Sequence, residues 1–232
     1  MCIRDRMANA AVNECDVLFL VGARVGDRAV KTPLALEKTT KIIHIDIDPA
    51  EIGKNIGADL PLVGDAKLVL QQMTELAKPM KHDEWIAHIK TLGGERKYVE
   101  PAKGTVNPRV FIDRLAKKMP ANVTVVADVG QNQIWTCTEY KFRKEGRLLT
   151  SGGMGTMGYS VPAAIGAKMA DNSRATVAIC GDGAFQMSFM ELATAVQFGV
   201  DIKVVVMTNN RLGMVRAVSY THLRAHETCA DL

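Results

Sequence analysis

Two short polar residues close the most apolar runs of the chain: Asp182 follows "ATVAICG" and Asn209 follows "DIKVVVMT". The stretch between them is long enough for one helical crossover. The segment therefore reads as strand, tight turn, helix, strand, a parallel βαβ unit. If the two strands are neighbours, both side chains emerge at the carboxyl edge of the sheet, where open α/β folds bind ligands. They supply a carboxylate and an amide oxygen, with backbone carbonyls of "NRLG" close by. Such hard oxygen donors suit Mg2+ or Ca2+ and suit zinc or copper poorly. Gly181 and Gly183 let a ligand approach the backbone, and the N–H groups at Ala184 and Phe185 open a helix whose start favours an anion. "GDG" alone is an ordinary turn and "NN" an ordinary loop. Paired across one βαβ unit, they suggest a metal–diphosphate site.

Strand-like runs alternate with helical patterns along the whole chain, which predicts an α/β fold of two Rossmann-like parallel-sheet regions. Strands are expected at 16–22, 41–48 and 61–65, followed by a helix over 66–77. Residues 78–107 lose the rhythm, are charged, carry Gly93-Gly94 and Pro101, and read as a connector with one short amphipathic helix around Trp85. A second region opens with a helix over 108–119 and continues with strands at 122–128, 146–151, 175–180 and 201–208.

Composition narrows the classes. Over 232 residues, 47% hydrophobic and 23% charged residues with a net charge of +4 describe a globular protein without a basic stripe, so no nucleic-acid partner is expected. No apolar run approaches the ~20 residues a membrane span needs, and "MCIRDRMANA" has no signal-peptide core. Five cysteines without CxxC spacing read as thiols in a reducing compartment, and a cytoplasmic location is expected.

The "GDG…N" pair resembles the signature of thiamine-diphosphate-dependent enzymes. That resemblance implies a Mg2+ held by Asp182, Asn209 and the backbone oxygen of Arg211. Alignment on "RLGMV" puts Thr208, not an asparagine, at the first of two positions that are often both Asn, and leaves Asn210 outside the ligand set. "VGQNQIW" is similar to the diphosphate-contacting turn of acetolactate synthases, placing Val129, Gly130, Gln131 and Asn132 at the cofactor, with Asn132 where a His is common. "SGGMGTMGYSVPAAIGA" is close to a family stretch in which Gly155 and Met157 contact thiamine diphosphate, Met157 as the apolar wedge that bends it between its rings. Gly181, Gly183, Ala184, Gly213 and Met214 complete the implied set.

"LVGARVGDRAV" and "KIIHIDIDPAEIGKNIGADLPLVGDA" resemble the second half of the central FAD-binding domain of acetolactate synthase catalytic subunits. This implies FAD contacts at Gly22, Ala23 and Arg24, at Asp46 and Ile47, and at Asp65 and Ala66. Val25 and Gly26 depart from the aromatic and acidic residues common there. The implied organisation is half of a central FAD-type domain over 7–77, the connector over 78–107, and the first part of a thiamine-diphosphate-binding domain over 108–216. Residues 1–6 and 217–232 resemble translated adaptor ends. The implied activity is decarboxylation of pyruvate and its ligation to a second 2-oxo acid, in branched-chain amino-acid biosynthesis. The implied assembly is a homodimer or homotetramer, with a small regulatory subunit as a further partner. In such enzymes a glutamate on a separate domain drives cofactor deprotonation. No segment here resembles that domain, so no catalytic residue is assigned and the chain by itself is expected to be inactive.

Three features compete with this reading. Gly153-x-Gly155-x-x-Gly158 is formally a dinucleotide fingerprint, and a nicotinamide-dependent dehydrogenase is the alternative enzyme. Other thiamine enzymes, of the pyruvate oxidase or glyoxylate carboligase type, share the metal motif. His222, His226 and Glu227 mimic a metal site, but their surroundings do not read as a helix of the domain. His44 reads as a core or cleft residue, and His82 and His88 as solvated.

Overall fold

In the computed structural model, residues 6–26, 33–92 and 98–218 are described. The chain divides into two compact units, Met1–Arg96 and Lys97–Leu232. The division falls inside the stretch expected as a connector.

The first unit runs α1 (Arg6–Glu14), β1 (Val17–Val21), α2 (Pro33–Glu37), β2 (Lys41–Asp46), β3 (Leu60–Val63), α3 (Ala66–Leu76) and α4 (Asp83–Leu92). Its three strands are parallel in the order β1-β2-β3, with Leu20 level with His44 and Ile45 level with Leu62. Ile42 and Ile45 on the central strand are fully buried. α3 starts where Asp65 accepts the N–H groups of Lys67 (2.9 Å) and Leu68 (3.1 Å), an N-cap that satisfies two donors the helix cannot. α4 packs on α1, and His88 Nε2 lies 2.6 Å from Glu14 Oε2 across that contact. Residues 78–96 of the expected connector thus fall in the first unit.

The second unit runs α5 (Pro108–Lys118), β4 (Thr124–Ala127), α6 (Gln131–Glu139), β5 (Arg147–Thr150), α7 (Ser160–Ala170), β6 (Thr176–Gly181), α8 (Asp182–Gln186), a 3-10 turn (Phe189–Glu191), α9 (Leu192–Gln197), β7 (Lys203–Met207) and α10 (Gly213–Val218). Asn107 caps α5 through the N–H groups of Arg109 and Val110, Pro108 takes the first helical position, and Lys117 and Lys118 end the helix with charges that suit its carbonyl pole. The sheet is parallel in the order β5-β4-β6-β7.

β4 and β6 are the central strands, and continuous apolar runs are what a parallel sheet covered on both faces demands. One face packs Val125, Val177 and Ile179 against Ile112 and Ala116 of α5 and Tyr140 after α6. The other packs Val126 and Ala178 against Ala164 of α7, with Val161, Ile165 and Ala195 of α9 beside them. All seven expected strands are present; five are shortened, while β3 starts one residue earlier than expected, at Leu60, and β6 ends one residue later, at Gly181. The single helix expected between Asp182 and β7 is instead broken into α8, the 3-10 turn and α9. The break falls at Met187–Ser188, which the loop at Gly158 packs against: a Cβ on Gly158 would lie 3.0 Å from Met187 Cβ. The loop's close approach, a tertiary contact, divides the helix.

Candidate functional site

In the second unit the connections from β4 and β6 diverge. β4 leads through α6 outward to β5, and β6 leads through α8 and α9 outward to β7. The carboxyl ends of β4 and β6 therefore flank a topological switch point, the crevice where open α/β sheets take ligands. Four of the sequence-predicted segments meet on this edge: 129–132 after β4, 155–158 after β5, 181–184 after β6, and 209–214 after β7.

Asp182 and Asn209, 27 residues apart, come together. The Asp182 carboxylate accepts Gly183 N–H on Oδ1 (2.9 Å) and, on Oδ2, the N–H groups of Asn209 (3.1 Å) and Asn210 (2.7 Å). An ionised carboxylate has about four acceptor positions. Oδ2 has filled its share, and one lone pair on Oδ1 is left for a ligand. Asn209 Oδ1 accepts Arg211 N–H (3.0 Å), which closes a turn through Asn210 at φ 54°, a left-handed conformation that Asn tolerates. A single carboxylate, from Asp182, thus lies against the backbone of the loop that carries the Asn209 amide oxygen. The described residues hold no cluster of three or more His, Cys, Asp or Glu. That donor set is oxygen-only and low in charge, so it fits a hard divalent cation whose remaining ligands come from a polyanion.

Two glycines of the surrounding surface are closely approached by side chains. A Cβ on Gly183 would lie 2.9 Å from Leu212 Cδ2 and 3.5 Å from Met157 Cε. One on Gly213 would lie 2.6 Å from Gln131 Cδ and closer still to its Oε1. Gln131 Nε2 in turn donates to Gly213 O at 3.4 Å, joining the β4 turn to the start of α10. Gln131, Met157, Gly183, Leu212 and Gly213 thus form one contiguous lining. Met214 is half-buried on α10, and Ala184 is buried in α8. Gly155, at φ 67°, stands exposed with nothing within 4 Å of where its Cβ would be. Asn132 is buried: its Nδ2 donates to Asp128 O (2.8 Å) and Ile179 O (3.1 Å), stitching the ends of β4 and β6.

One residue in the site escaped the sequence reading. Asp128, the last residue of the expected β4 run, is fully buried. Its Oδ1 accepts Val129 N–H (2.8 Å) and Gly158 N–H (3.0 Å), and its Oδ2 accepts Ser160 N–H (2.8 Å) at the start of α7. The only signal in the sequence is an acidic residue ending an apolar strand just before a glycine. These bonds also bear on the Gly153-x-Gly155-x-x-Gly158 fingerprint. A dinucleotide pyrophosphate would need the N–H groups that open α7, and Gly158 and Ser160 have already given theirs to Asp128. Below this edge, burial pushes the Cys180 thiol up to about 12, with the Asp128 charge adding to the effect.

In the first unit, the ends of all three strands share one carboxyl edge. Gly22, at φ 58°, donates its N–H to Ile45 O (2.8 Å). Asn55 Nδ2 holds Arg24 O (2.7 Å), Asp46 Oδ1 accepts Asp48 N–H (3.0 Å), and Gly64 N–H reaches Asp46 O (2.9 Å). Ile47 is exposed, while Ala23 packs partly into the small core beside Val25, a buried residue at φ 42°. Asp65 is committed to capping α3, and Ala66 is that helix's first residue. His44 is buried with both ring nitrogens unpartnered. His222, His226 and Glu227 lie outside the described residues; Ala217 and Val218, assigned to an adaptor-like end, continue α10. No helix among the described residues is long and apolar enough to cross a membrane.

The family described as thiamine pyrophosphate enzyme, C-terminal TPP binding domain, matches residues 128–231, and the thiamine pyrophosphate enzyme central domain matches residues 2–73. Among curated proteins, the acetolactate synthase large subunit of Lactococcus lactis is 38% identical over 211 residues, covering 90% of this chain and 37% of its own length. A probable acetolactate synthase large subunit of Methanocaldococcus jannaschii is 39% identical over 221 residues, and the large subunit of Corynebacterium glutamicum is 40% identical over 216, each covering 90% of this chain. The chain spans 34% to 37% of the length of these relatives. With the central domain over its first unit and the cofactor-binding domain over the edge where Asp182 meets Asn209, the chain belongs to the thiamine pyrophosphate enzymes.

Proposed function

We propose that this chain serves in an acetolactate synthase large subunit, binding thiamine diphosphate through Mg2+ at the carboxyl edge of the second sheet. The observation that carries the reading is the meeting of Asp182 and Asn209 at the ends of adjacent parallel strands, with Gln131 and Met157 on the same lining. Asp182 Oδ1, Asn209 Oδ1 and the Arg211 carbonyl are the Mg2+ ligands in this proposal, and Asn209 releases the Arg211 N–H to take that role. Val129, Gly130, Gln131 and Asn132 form the turn at the diphosphate, with Gly181, Gly183 and Ala184 opposite them. Gly155, Met157, Gly213 and Met214 border the rest of the cofactor.

When bound, thiamine diphosphate supplies the carbon that accepts the 2-oxo acid and stabilises the electrons left by decarboxylation. The chain's own residues anchor the charged end, present Met157 as an apolar support, and line the site with Leu212 and Met214 so that water is excluded. The substrates proposed are pyruvate and a second 2-oxo acid, as the relatives' name implies. An assembly of two or four copies, joined by a regulatory subunit, belongs to the same proposal, as does a cytoplasmic location. In the first unit the proposed FAD contacts are Gly22, Ala23, Arg24, Asp46, Ile47, Asp65 and Ala66. At this edge Asp46 uses Oδ1 for Asp48 N–H and Asp65 uses Oδ1 for the first turn of α3, so the Oδ2 atom of each is the one this proposal turns to the cofactor.

The test is a thermal shift of the chain with thiamine diphosphate plus Mg2+, set beside NAD. A rise in Tm with the first and none with NAD or with Mg2+ alone is expected. A rise with NAD alone would replace this reading by the dehydrogenase alternative.

A further inference from the structure

We propose that Asp128 is a positioning residue for the cofactor-binding surface: its buried carboxylate holds the 157–160 segment and so fixes Met157 above Gly183. The proposal rests on the thiamine diphosphate reading above. It begins from a charge that needs explaining, because an ionised carboxylate taken fully out of water is costly unless its acceptors are filled. Here they are filled by three backbone N–H groups from two separate loops, at 2.8 Å, 3.0 Å and 2.8 Å. Ser160 opens α7, an 11-residue helix, so its positive pole also faces the carboxylate.

The geometry has a directional consequence. Asp128 sits at the switch point, with its own N–H on Ile179 O (2.8 Å), so the carboxylate is fixed to the centre of the sheet. The loop after β5, the edge strand, is tied at its start by Thr150 Oγ1 donating to Ala127 O (2.9 Å) and internally by Thr156 N–H donating to Ser151 Oγ (3.1 Å). Asp128 grips it at Gly158 and Ser160, one and three residues beyond Met157. Gly158 is at φ 83° and a Cβ on it would lie 3.0 Å from Met187 Cβ, so the segment has little freedom once the two bonds are made. Met157 Cε is left within 3.5 Å of where a Gly183 Cβ would be, beside Asp182. The carboxylate thus sets the distance between the apolar support and the metal-binding end without touching either. Asparagine is nearly isosteric but has one acceptor oxygen and a donor. Its amide group would face an N–H, leaving at least one buried backbone donor unpaired.

The experiment compares wild-type chain with Asp128→Asn by calorimetry, using two probes in Mg2+: thiamine diphosphate and inorganic pyrophosphate. The expected result is a thiamine diphosphate Kd raised about tenfold, with pyrophosphate affinity held within about threefold. A role in folding alone would weaken both probes alike, because both bind only the folded chain. Ile112→Val on α5, a core change on the opposite face of the sheet, supplies that control. Hydrogen exchange gives a readout that needs no ligand: the Gly158 and Ser160 amides should exchange at least about tenfold faster in D128N, while Ile179 stays protected. Unchanged thiamine diphosphate affinity, a parallel loss of both probes, or unchanged exchange at Gly158 and Ser160 each overturns the proposal. Wild-type chain that binds neither probe would instead refute the diphosphate-site reading, and exchange would still decide whether Asp128 holds the loop. If D128N is too unstable to purify, Asp128→Ser keeps one acceptor in a smaller volume and is put through the same measurements.

Discussion

Replacing Asp182 by alanine separates its two roles, and the structure sets a size for each. As an acceptor, Asp182 holds three backbone N–H groups, at 2.9, 3.1 and 2.7 Å. Bonds to a charged acceptor contribute about 1.5–3 kcal/mol each when buried. Asn209 and Asn210 are exposed, however, and water replaces the carboxylate at both. The surviving cost is therefore about 1–2 kcal/mol in all, which for a domain of this size lowers Tm by roughly 2–8 °C. As a metal ligand, Asp182 is the one carboxylate among the proposed donors, and removing it takes away the only full negative charge they supply. Mg2+-dependent binding of thiamine diphosphate should fall at least about a hundredfold, or about 2.7 kcal/mol. The assay is isothermal calorimetry with and without Mg2+, beside a melt of the ligand-free variant. Affinity within about threefold of wild type would refute the metal assignment, whatever happened to Tm. A large fall in Tm with affinity retained would show that Asp182 serves the loop and not the ion.

Two other expectations follow from packing and burial. Gly213→Ala would place a methyl 2.6 Å from Gln131 Cδ, so the Gln131 side chain must leave Gly213; calorimetry should show thiamine diphosphate weakened by about tenfold, with Tm lowered by only a few degrees. Retained affinity would remove Gln131 and Gly213 from the lining. The Cys180 thiol, pushed up to about 12 by burial, holds its proton in the folded state where an unfolded thiol, near 9.0, has lost it. The folded state then binds the extra proton, so this group's contribution is full below pH 9 and is lost as pH rises from 9 toward 12. Iodoacetamide at pH 8 should label the half-buried Cys15 and Cys137 and spare Cys180 until the chain is unfolded; labelling of Cys180 in the native chain would contradict its burial.

Much of this architecture is legible in the sequence, for a simple reason. The central strands of a covered parallel sheet are apolar on both faces, so β4 and β6 announce themselves as runs rich in Val, Ile and Ala, and β2 as an Ile-rich run interrupted by His44. The helices with strong caps announce themselves too: Asn107-Pro108 before α5 and Asp65 before α3. By contrast, α6 is built from "QNQIWTCTE", with β-branched and aromatic residues that favour no helix; burial of Thr136 and the two bonds from Asn132 hold it in place. α1 and α2 carry no comparable signal in the sequence. α4 was anticipated as a short element, but its docking on α1 is a tertiary contact that the charged composition of 78–107 did not reveal.

The chemistry divides along the same line. Sequence by itself determined which atoms are available: one carboxylate and one amide at the ends of two apolar runs, a glycine at each approach, and a methionine in a glycine-rich loop. Residue type and spacing fix those choices, because only short polar side chains reach back over a strand end and only glycine admits close approach. Only the tertiary structure decided which of these atoms meet. It put β6 beside β7, so that Asp182 reaches Asn209, and put β4 beside β6, so that a buried Asp128 can grip a loop 30 residues downstream. Strand order is set by how the two helix layers pack on the sheet. No local pattern around Asp128 encodes its partners, because they are backbone N–H groups, which every loop carries and only the fold selects.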